Sequence, residues 1–368
     1  MAPEQNKGTF AVGEPHELGI GSDAVSEFYR SHWQRRIALG DQGFYDWQFR
    51  QPPDNGGEDR CCVAAEPDGT ILGVMGLNRR RFRLCGKELQ GAELTTWIVA
   101  EDARHRGAGG RIMKFLQDKY ELLMGMGISE EALSVYMRSG FRFMRHIPRF
   151  VRAYDLDAIK PYAEIGALGH RLARTWNRKP QPGFEAEEVS AGDLAAIAEG
   201  FSEHCSMYVR DADALAWRFD RHPSFTHQAF VVHQDGAGVG IVIRLDKVEN
   251  LRIAHVLDCF GDMADMPGAL AFIDDFCERN GVHVADFYCT GSHVTRHFMA
   301  AGWFSIMDDY FFQFIHLFHP PELREPPTTS LVYWCREGMA DLMDTGRLYV
   351  TKEDLDLDRP TMAFLERA

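Results

Sequence analysis

ELTTWIVAEDARHRGAGGRIMKFLQDKYELL, residues 93–123, combines a predicted strand, a glycine-rich turn and a predicted helix. Its opening, ELTTWIVA, is rich in β-branched and aromatic residues and predicts a strand. A glycine-rich turn follows, and RIMKFLQDKYELL then has the apolar spacing of an amphipathic helix. Glycines before a helix leave backbone N–H groups free for an anion, and the helix dipole adds to this attraction. The turn therefore predicts a phosphate site, although the same glycines would also suit a plain turn into a helix.

A second motif, Tyr136-x-x-x-Gly140-Phe141, follows the helix and a short predicted strand. The order strand, Arg104-x-x-Gly107-x-Gly109, helix, strand and Tyr136 motif resembles the acyl-CoA-binding core of the GNAT (Gcn5-related N-acetyltransferase) superfamily. The resemblance covers about residues 90–145. It implies an α/β fold, with a mixed, mostly antiparallel sheet flanked by helices. It also implies acyl-CoA as co-substrate, either acetyl-CoA or a hydroxyacyl-CoA.

The resemblance assigns the residues that would bind this co-substrate. The backbone of Trp97, Ile98 and Val99 is implied to pair with the pantetheine arm. The pyrophosphate is implied to bind to the loop, whose residues are Arg104, His105, Arg106, Gly107, Ala108, Gly109 and Gly110.

Two side chains acquire catalytic roles from the same resemblance. Tyr136 is implied to lie beside the thioester sulfur, where its phenol would protonate the departing thiolate. The alternative for Tyr136 is an aromatic side chain at the edge of the core. Glu93 lies eleven residues before Arg104, where histone-acetylating members of the superfamily carry their general base. The alternative for Glu93 is a solvated carboxylate at a strand end.

An internal repeat organises the chain. Trp47-Gln48-Phe49 with Pro53 returns as Trp217-Arg218-Phe219 with Pro223. Each copy runs into a hairpin with Asp-Gly turn chemistry, CCVAAEPDGTILGVMGL and AFVVHQDGAGVGIVIRL. The Tyr136 motif returns as Phe298-x-x-x-Gly302-Trp303. Three matches in the same order predict two tandem copies of one GNAT-like α/β domain.

The repeat sets the expected domain boundaries. We expect an N-terminal catalytic domain over residues 1–155 and a helical linker over 156–184, which includes a helical stretch from Ala158 to Trp176 before NRKPQPGF. A second domain follows over 185–320, and a C-terminal extension over 321–368 is expected to pack back on the body. The second copy has GDMADMPGALAFIDDF in place of the loop, where Asp262 and Asp265 would repel a pyrophosphate. Phe298 replaces the tyrosine, so we expect the second copy to shape the acceptor site or to brace the first.

The acceptor follows from a narrower resemblance, to tandem acyltransferases that modify nucleotide-linked amino sugars for surface polysaccharides such as O-antigen. The paired Trp-x-Phe-x-x-x-Pro elements and the segment from Asp354 to Pro360 (DLDLDRP) support it. It implies a small-molecule acceptor amine on a dTDP- or UDP-linked amino sugar. The alternatives are an amino-acid, peptide or mycothiol-like amine, and a non-catalytic CoA-binding or structural protein.

Cationic side chains would bind the diphosphate of such an acceptor. Arg79, Arg81 and Arg83 alternate along a predicted strand and share one face, with Arg80 on the other. The second copy offers further candidates for the sugar or phosphate, which are Arg218, Arg244, His255 and Asp258. The alternative for all of them is a solvated charge on a hairpin face or near a strand end.

The composition excludes several classes of function. The 368 residues carry a formal net charge of -14, so we expect no nucleic-acid partner, because such binding depends on Lys and Arg neutralising phosphates. MAPEQNKGTF lacks the regions of a signal peptide, and no apolar run approaches the roughly 20 residues that span a bilayer. We therefore expect a cytoplasmic protein without a membrane partner.

No metal and no disulfide is indicated. The 8 cysteines are scattered without a Cys-x-x-Cys pair, and the 15 histidines form no His-Glu-x-x-His unit. Asp354, Asp356 and Asp358 resemble the start of a calcium loop, but Arg359 occupies the position that requires glycine. We expect reduced and mostly buried thiols.

Overall fold

The computed structural model describes residues 10–33, 36–167, 170–171, 183–306, 312–314, 329–354 and 360. Its helices are α1 (Ser22–His32), α2 (Gln42–Phe49), α3 (Ala108–Lys119), α4 (Glu130–Arg138), α5 (Leu156–Ile159), α6 (Ala195–Ser202), α7 (Ala212–Leu215), α8 (Met266–Arg279), α9 (Ser292–Ala300) and α10 (Met339–Leu342). Its strands are β1 (Ala11–Gly13), β2 (Cys62–Ala65), β3 (Ile71–Leu84), β4 (Lys87–Val99), β5 (Leu122–Met126), β6 (Arg142–Met144), β7 (Arg149–Ala153), β8 (Ala163–Ile165), β9 (Glu185–Val189), β10 (Met207–Tyr208), β11 (Gln228–His233), β12 (Val239–Val248), β13 (Leu251–Gly261), β14 (Val284–Tyr288), β15 (Phe304–Ser305), β16 (Phe312–Phe314) and β17 (Leu331–Cys335).

Two sheets with the same strand pattern make up the body. The first runs β1-β2-β3-β4-β5-β17-β6, with β10 also paired to β3, and the second runs β9-β11-β12-β13-β14-β7-β15. Each has one parallel pair at the same position, β4 with β5 and β13 with β14. The remaining pairs of both sheets are antiparallel. The predicted fold class is confirmed: α/β, with mixed, mostly antiparallel sheets flanked by helices, consistent with two GNAT-like domains.

One strand of each sheet comes from the other half of the chain. β7 follows β6 in sequence, yet it pairs with β14 and β15 of the second sheet. β17 lies beyond the second copy, yet it pairs with β5 and β6 of the first sheet. The extension therefore packs back on the body through β17. The division between the sheets does not coincide with the expected domain boundaries at residues 155 and 320. These boundaries therefore stay a prediction of where independently folding domains begin and end.

The linker differs from the predicted helix. α5 ends at Ile159, and Pro161 follows within a single 3-10 turn, Lys160–Tyr162. Because proline has no N–H and obstructs the preceding turn, the helix does not continue, and the chain forms β8, which pairs with β16. Residues 167, 170 and 171 are helical, as predicted, whereas residues 168–169 and 172–176 of the predicted helix, residues 177–182 of NRKPQPGF and residues 355–359 of the acidic segment lie outside the described residues.

The repeated tryptophans contact each other. The Nε1–H of Trp47 donates to the carbonyl of Trp217 (3.3 Å), and that of Trp217 donates to the carbonyl of Trp47 (3.0 Å). Their rings stack with centroids 5.3 Å apart, and both side chains are buried. The sequence repeat therefore marks a reciprocal contact between the two halves.

This contact gives a stability prediction. We expect Trp47→Phe and Trp217→Phe each to lower the free energy of unfolding by about 2–4 kcal/mol, since each removes a buried hydrogen bond and leaves a cavity. We expect the double variant to lose less than the sum, because both changes act on one contact. Urea unfolding of the two single variants and the double variant measures these free energies. Trp303→Phe is the control, because Trp303 is buried but its Nε1–H finds no partner among the described residues; additive losses at Trp47 and Trp217 would contradict the prediction.

The third sequence match also has a common geometry. Tyr136 and Phe141 lie with ring centroids 5.0 Å apart at 70°, and Phe298 and Trp303 lie 5.0 Å apart at 76°. The glycine before each second ring has a positive φ, 83° at Gly140 and 90° at Gly302, which other residues rarely adopt. Both copies thus turn out of a helix in the same way.

The space between the sheets is filled by the C-terminal segment, residues 348–354, all of which are buried. Its Leu348 and Val350 pack in one apolar cluster with Met124 of β5 and Tyr288 of β14. Thr351 forms a bridge with Cys289, just after β14. The segment is therefore part of the contact between the halves.

Candidate active site

The first sheet opens between its two parallel strands. The pairing of β4 with β5 ends at Leu94 opposite Gly125, whereas β4 continues to Val99. On its other edge β4 still pairs with β3, where Trp97 lies opposite Met75 and Val99 opposite Gly73. A bulge at this point sets two residues of β4, Thr95 and Thr96, against one of β3. The edge of β4 from Trp97 to Val99 is thus not paired with β5. A pantetheine arm that pairs with β4 like a strand needs such an unpaired edge.

The glycine-rich loop lies at the end of this opening. A 3-10 turn, Glu101–Arg106, leads to Gly107. Gly107 has a φ of 81° and directly precedes the first residue of α3. A Cβ atom at Gly109 would lie 3.0 Å from the indole ring of Trp97, so only glycine lets the helix start approach this closely. Arg104, His105, Gly107 and Gly110 are exposed, Gly109 is half-buried and Ala108 is buried. Arg106 instead pairs with Glu66, 2.7 Å away.

Tyr136 lies against the same indole. Its ring and that of Trp97 make an edge-to-face contact with centroids 5.3 Å apart. It is presented by α4, which begins where the hydroxyl of Ser129 accepts the N–H of Ala132. Trp97 is therefore the common neighbour of Gly109 and Tyr136, and three of the predicted elements meet there.

Glu93 lies in the middle of β4 and is buried, so the alternative of a solvated strand-end carboxylate is wrong. Its partner across the ladder is Asn78 of β3, whose Nδ2 donates to Oε2 of Glu93 over 3.3 Å. Glu93 shares a face of the sheet with the apolar cluster that includes the C-terminal segment, because Met124, its neighbour on β5, belongs to the same cluster as Val350.

Residues 22–141 match the family model described as Acetyltransferase (GNAT) family. The first half contains a GNAT acetyltransferase domain. No curated protein matches the chain significantly by sequence.

Solved structures share the fold over most of the chain. One is a GCN5-related N-acetyltransferase from Anabaena variabilis ATCC 29413, at a TM-score of 0.54 and 10% identity over 88% of this chain and 72% of that one. A protein of unknown function from Enterococcus faecalis V583, described as a probable N-acyltransferase, has a TM-score of 0.54 and 10% identity over 89% and 72%. A GCN5-related N-acetyltransferase from Kribbella flavida has a TM-score of 0.52 and 13% identity over 89% and 71%. At these identities the likeness concerns the fold alone.

The three candidate arginines of β3 are already paired with carboxylates, and two of them, Arg81 and Arg83, contact the second half of the chain. Arg81 pairs with Asp54 (3.1 Å) and with Asp211. Arg83 pairs with Glu199 (2.7 Å) and donates to Ser202. Arg79 approaches Glu14 at 3.6 Å. As predicted, the three share one face and Arg80 lies on the other, but a diphosphate would have to displace carboxylates to reach them.

The candidates of the second half fall into separate groups. Arg218 lies within 6.0 Å of both paired tryptophan rings, and Arg244 lies 4.0 Å from the ring of Phe225 and bonds Asp246. His255 has Nδ1 2.6 Å from Asp286 and 3.2 Å from Nζ of Lys352. Arg218, Arg244, His255 and Asp258 are all buried, so the alternative of a solvated charge is wrong for these four candidates.

Asp258 belongs to a buried ionic cluster that the sequence did not reveal, composed of Arg80, Arg210, Asp258, Glu353 and Asp354. Arg210 donates to Asp258 at 2.6 Å and to Asp354 at 2.9 Å, and Arg80 donates to Glu353 at 3.0 Å. Burial raises the pKa of Asp258 and of Asp354. Burial opposes the ionisation of Glu353 too, but Arg80 and Arg210 hold its pKa well below the ordinary value. A Lys-Glu-Asp run is typical of an exposed turn, so no local signal pointed to this cluster.

In the second half, a carboxylate occupies the place of the loop. Asp265, at the start of α8, accepts the N–H groups of Gln234 (2.8 Å), Asp235 (2.6 Å), Gly236 (2.7 Å) and Gly238 (2.6 Å). Burial opposes its ionisation, but these N–H groups hold the pKa of Asp265 below its ordinary value. A buried carboxylate repels a second anion, which agrees with an acyl-CoA site in the first half alone.

Glu14, His16 and Glu17 form the one group among the described residues with spacing for a metal ion. Glu14 already pairs with Lys119 and, at 2.6 Å, with Arg60, and these contacts hold its pKa below the ordinary value against the effect of burial. The geometry thus favours an ion pair at this position.

Seven of the eight thiols are buried and Cys85 is exposed, as expected. Within the described ranges, every helix is too short or too polar to cross a bilayer.

Proposed function

We propose that the chain is an acyl-CoA-dependent N-acyltransferase whose GNAT domain holds the thioester donor. The observation that supports this best is the meeting of the open β4 edge, the glycine-rich loop and Tyr136 around Trp97. Peptide groups from Trp97 to Val99 would bond the pantetheine amides. N–H groups between Arg104 and Gly110 would bond the pyrophosphate, as helix starts commonly do.

The reaction joins an amine to the acyl carbon. The amine nitrogen attacks the thioester carbonyl, a C–N bond forms, the C–S bond breaks, and the products are an amide and CoA. Glu93 takes the proton that the ammonium must lose, directly or through water. Tyr136 gives a proton to the departing thiolate, and the second proton that the nitrogen loses as the amide forms returns Tyr136 to its neutral form, directly or through water. The reaction would take place in the cytoplasm.

For the acceptor we propose a dTDP- or UDP-linked amino sugar of surface polysaccharide synthesis, on the basis of the sequence resemblance. Arg79, Arg81 and Arg83 already face carboxylates, so any contact they make to its diphosphate would exchange one anion for another. Turnover of acetyl-CoA with a panel of free, dTDP-linked and UDP-linked amino sugars tests the acceptor class. Turnover with amino acids or peptides alone would replace it.

Donor binding has a sharper test. We expect calorimetry to detect binding of CoA and acetyl-CoA, and Arg104→Glu to weaken it by about tenfold or more, because a carboxylate would then face the pyrophosphate. Arg104 is exposed, so folding should be unaffected. Arg296→Glu reverses an exposed charge on α9 of the second half and should leave CoA affinity unchanged. Absence of binding in the wild-type protein would remove the basis of the proposed function.

A further inference from the structure

Three buried polar side chains of the GNAT domain each have an atom without a hydrogen-bond partner among the described residues. These atoms are Nε2 of Gln48, Oδ1 of Asn78 and Oγ1 of Thr95. The three side chains are 1%, 0% and 9% exposed. A buried polar atom without a partner lowers the stability of the fold, so several of them close together need a reason.

Asn78 and Thr95 lie on one face of the first sheet. Gly76 and Asn78 alternate along β3, so both face the same way. A Cβ atom at Gly76 would lie 2.5 Å from Oγ1 of Thr95 and 2.7 Å from the ring of Phe49, so α2 covers this position. The hydroxyl of Thr95 is thus one same-face position away from Asn78. Such positions are roughly 6–7 Å apart, a gap in which one group can hydrogen-bond to both sides.

The same three side chains lie beside the proposed reaction centre. Thr95 is the first residue of β4 beyond its pairing with β5, where the opening for the thioester arm begins. Asn78 lies opposite Glu93 and donates to it through Nδ2, which leaves Oδ1 for another donor. Gln48 is near the centre of the buried face of α2, the helix that covers Gly76.

We propose that Gln48, Asn78 and Thr95 bind a hydroxyl group of the acceptor, next to the amine that receives the acyl group. The inference rests on the proposed function and narrows its acceptor class to amines with a neighbouring hydroxyl. Oδ1 of Asn78 only accepts, Nε2 of Gln48 only donates, and the Thr95 hydroxyl does both. A hydroxyl matches this set, because a carboxylate cannot donate and an ammonium cannot accept.

The second copy has different side chains at the matching positions. Arg218 replaces Gln48 in the repeated Trp-x-Phe motif. Arg244 lies opposite the third residue of the parallel pairing between β13 and β14, as Asn78 does for β4 and β5. The neutral polar set therefore belongs to the copy with the glycine-rich loop, which supports a role in the reaction.

The test compares two acceptors, the amino sugar of the panel that turns over fastest and its analogue without the hydroxyl beside the amine. In the wild-type protein the analogue should have a kcat/KM lower by about 10²-fold or more, because it leaves the buried polar groups unpaired. Thr95→Val should lower kcat/KM for the amino sugar by about tenfold or more and change that of the analogue by no more than about twofold. Thr95→Ser keeps the hydroxyl and should keep the preference.

Urea unfolding separates acceptor binding from folding. Thr95→Val removes a buried hydroxyl without a partner, so the unfolding midpoint should stay the same or rise. Thr290→Val is the matched control, since the Thr290 hydroxyl donates to the carbonyl of Leu348 and accepts the N–H of Val350. It should lower the midpoint and leave the acceptor preference unchanged. If Thr95→Val does not fold, Gln48→Met decides, because it removes the amide from α2 and should reduce the same preference.

The outcomes distinguish this inference from the proposed function. Equal kcat/KM for the two acceptors in the wild-type protein, or turnover of hydroxyl-free amines alone, would overturn the hydroxyl site and leave the acyltransferase in place. A full preference retained in both Thr95→Val and Gln48→Met would do the same. Absence of CoA binding together with absence of turnover would remove the proposed function, and this inference with it.

Discussion

Arg210→Met is expected to lower the free energy of unfolding by at least about 3–5 kcal/mol, because it leaves buried carboxylates without their cation. The Arg210 side chain is 0% exposed and lies within 3.3 Å of Asp258, Glu353 and Asp354. The Nη1 atom of Arg210 donates to the carbonyl of Tyr208 over 3.1 Å. No other residue of the described chain is placed within ion-pair distance of all three carboxylates.

The loss should depend on pH with a definite sign. Burial already raises the pKa of Asp258 and Asp354 in the folded protein, and removal of Arg210 raises both further. The folded variant then binds more protons than its unfolded chain, so its stability falls as pH rises. We expect the deficit against the wild-type protein to shrink between pH 7 and about pH 5, because the buried carboxylates are then protonated.

Urea unfolding at both pH values measures this. Arg210→Lys keeps the charge and should cost less than Arg210→Met, although it has fewer donors. Arg83→Met is the surface control, since the Glu199 side chain is 62% exposed, and it should cost about 1 kcal/mol or less. An Arg210→Met variant as stable as the wild-type protein at pH 7 would mean that the cluster does not hold the two halves together.

Tyr136→Phe is expected to reduce kcat by about 10²-fold or more while the Kd for CoA stays the same. The change removes the phenol proton and keeps the ring, so the contacts with Trp97 and Phe141 are preserved. Phe298 is the natural counterpart at this position in the second copy, so the fold accepts phenylalanine there. The measurement is steady-state turnover of acetyl-CoA with the panel amine, together with calorimetry of CoA.

Tyr120→Phe is the matched control for this prediction. Tyr120 is a buried tyrosine just after α3, and its hydroxyl accepts from Nε of Arg79 over 3.4 Å, away from Trp97. It should keep kcat within about twofold, because its proton has no part in the reaction. Equal kcat for Tyr136→Phe and the wild-type protein would show that the thiolate gains its proton elsewhere.

Local patterns in the sequence determined much of the GNAT domain. The β4 strand, the glycine-rich turn and the existence of α3 were predicted and are confirmed, since apolar periodicity and positive-φ glycines act over a few residues. The predicted end of α3 was wrong, because the helix stops at Lys119 and Leu122 and Leu123 belong to β5. The two hairpins and the geometry of the Tyr136 and Phe298 motifs were likewise visible in the order of residues.

Tertiary structure alone decided which residues meet across the halves. A strand of five residues such as β7 or β17 carries no mark of the sheet it joins, so the strand exchange could not be predicted. Glu353 and Asp354 have the sequence of an exposed turn, and they became buried because Arg80 and Arg210, far away in the chain, supply compensating charge. The sequence therefore determined the local elements and the glycine-rich loop, and long-range pairing of charges and strands determined what surrounds Glu93.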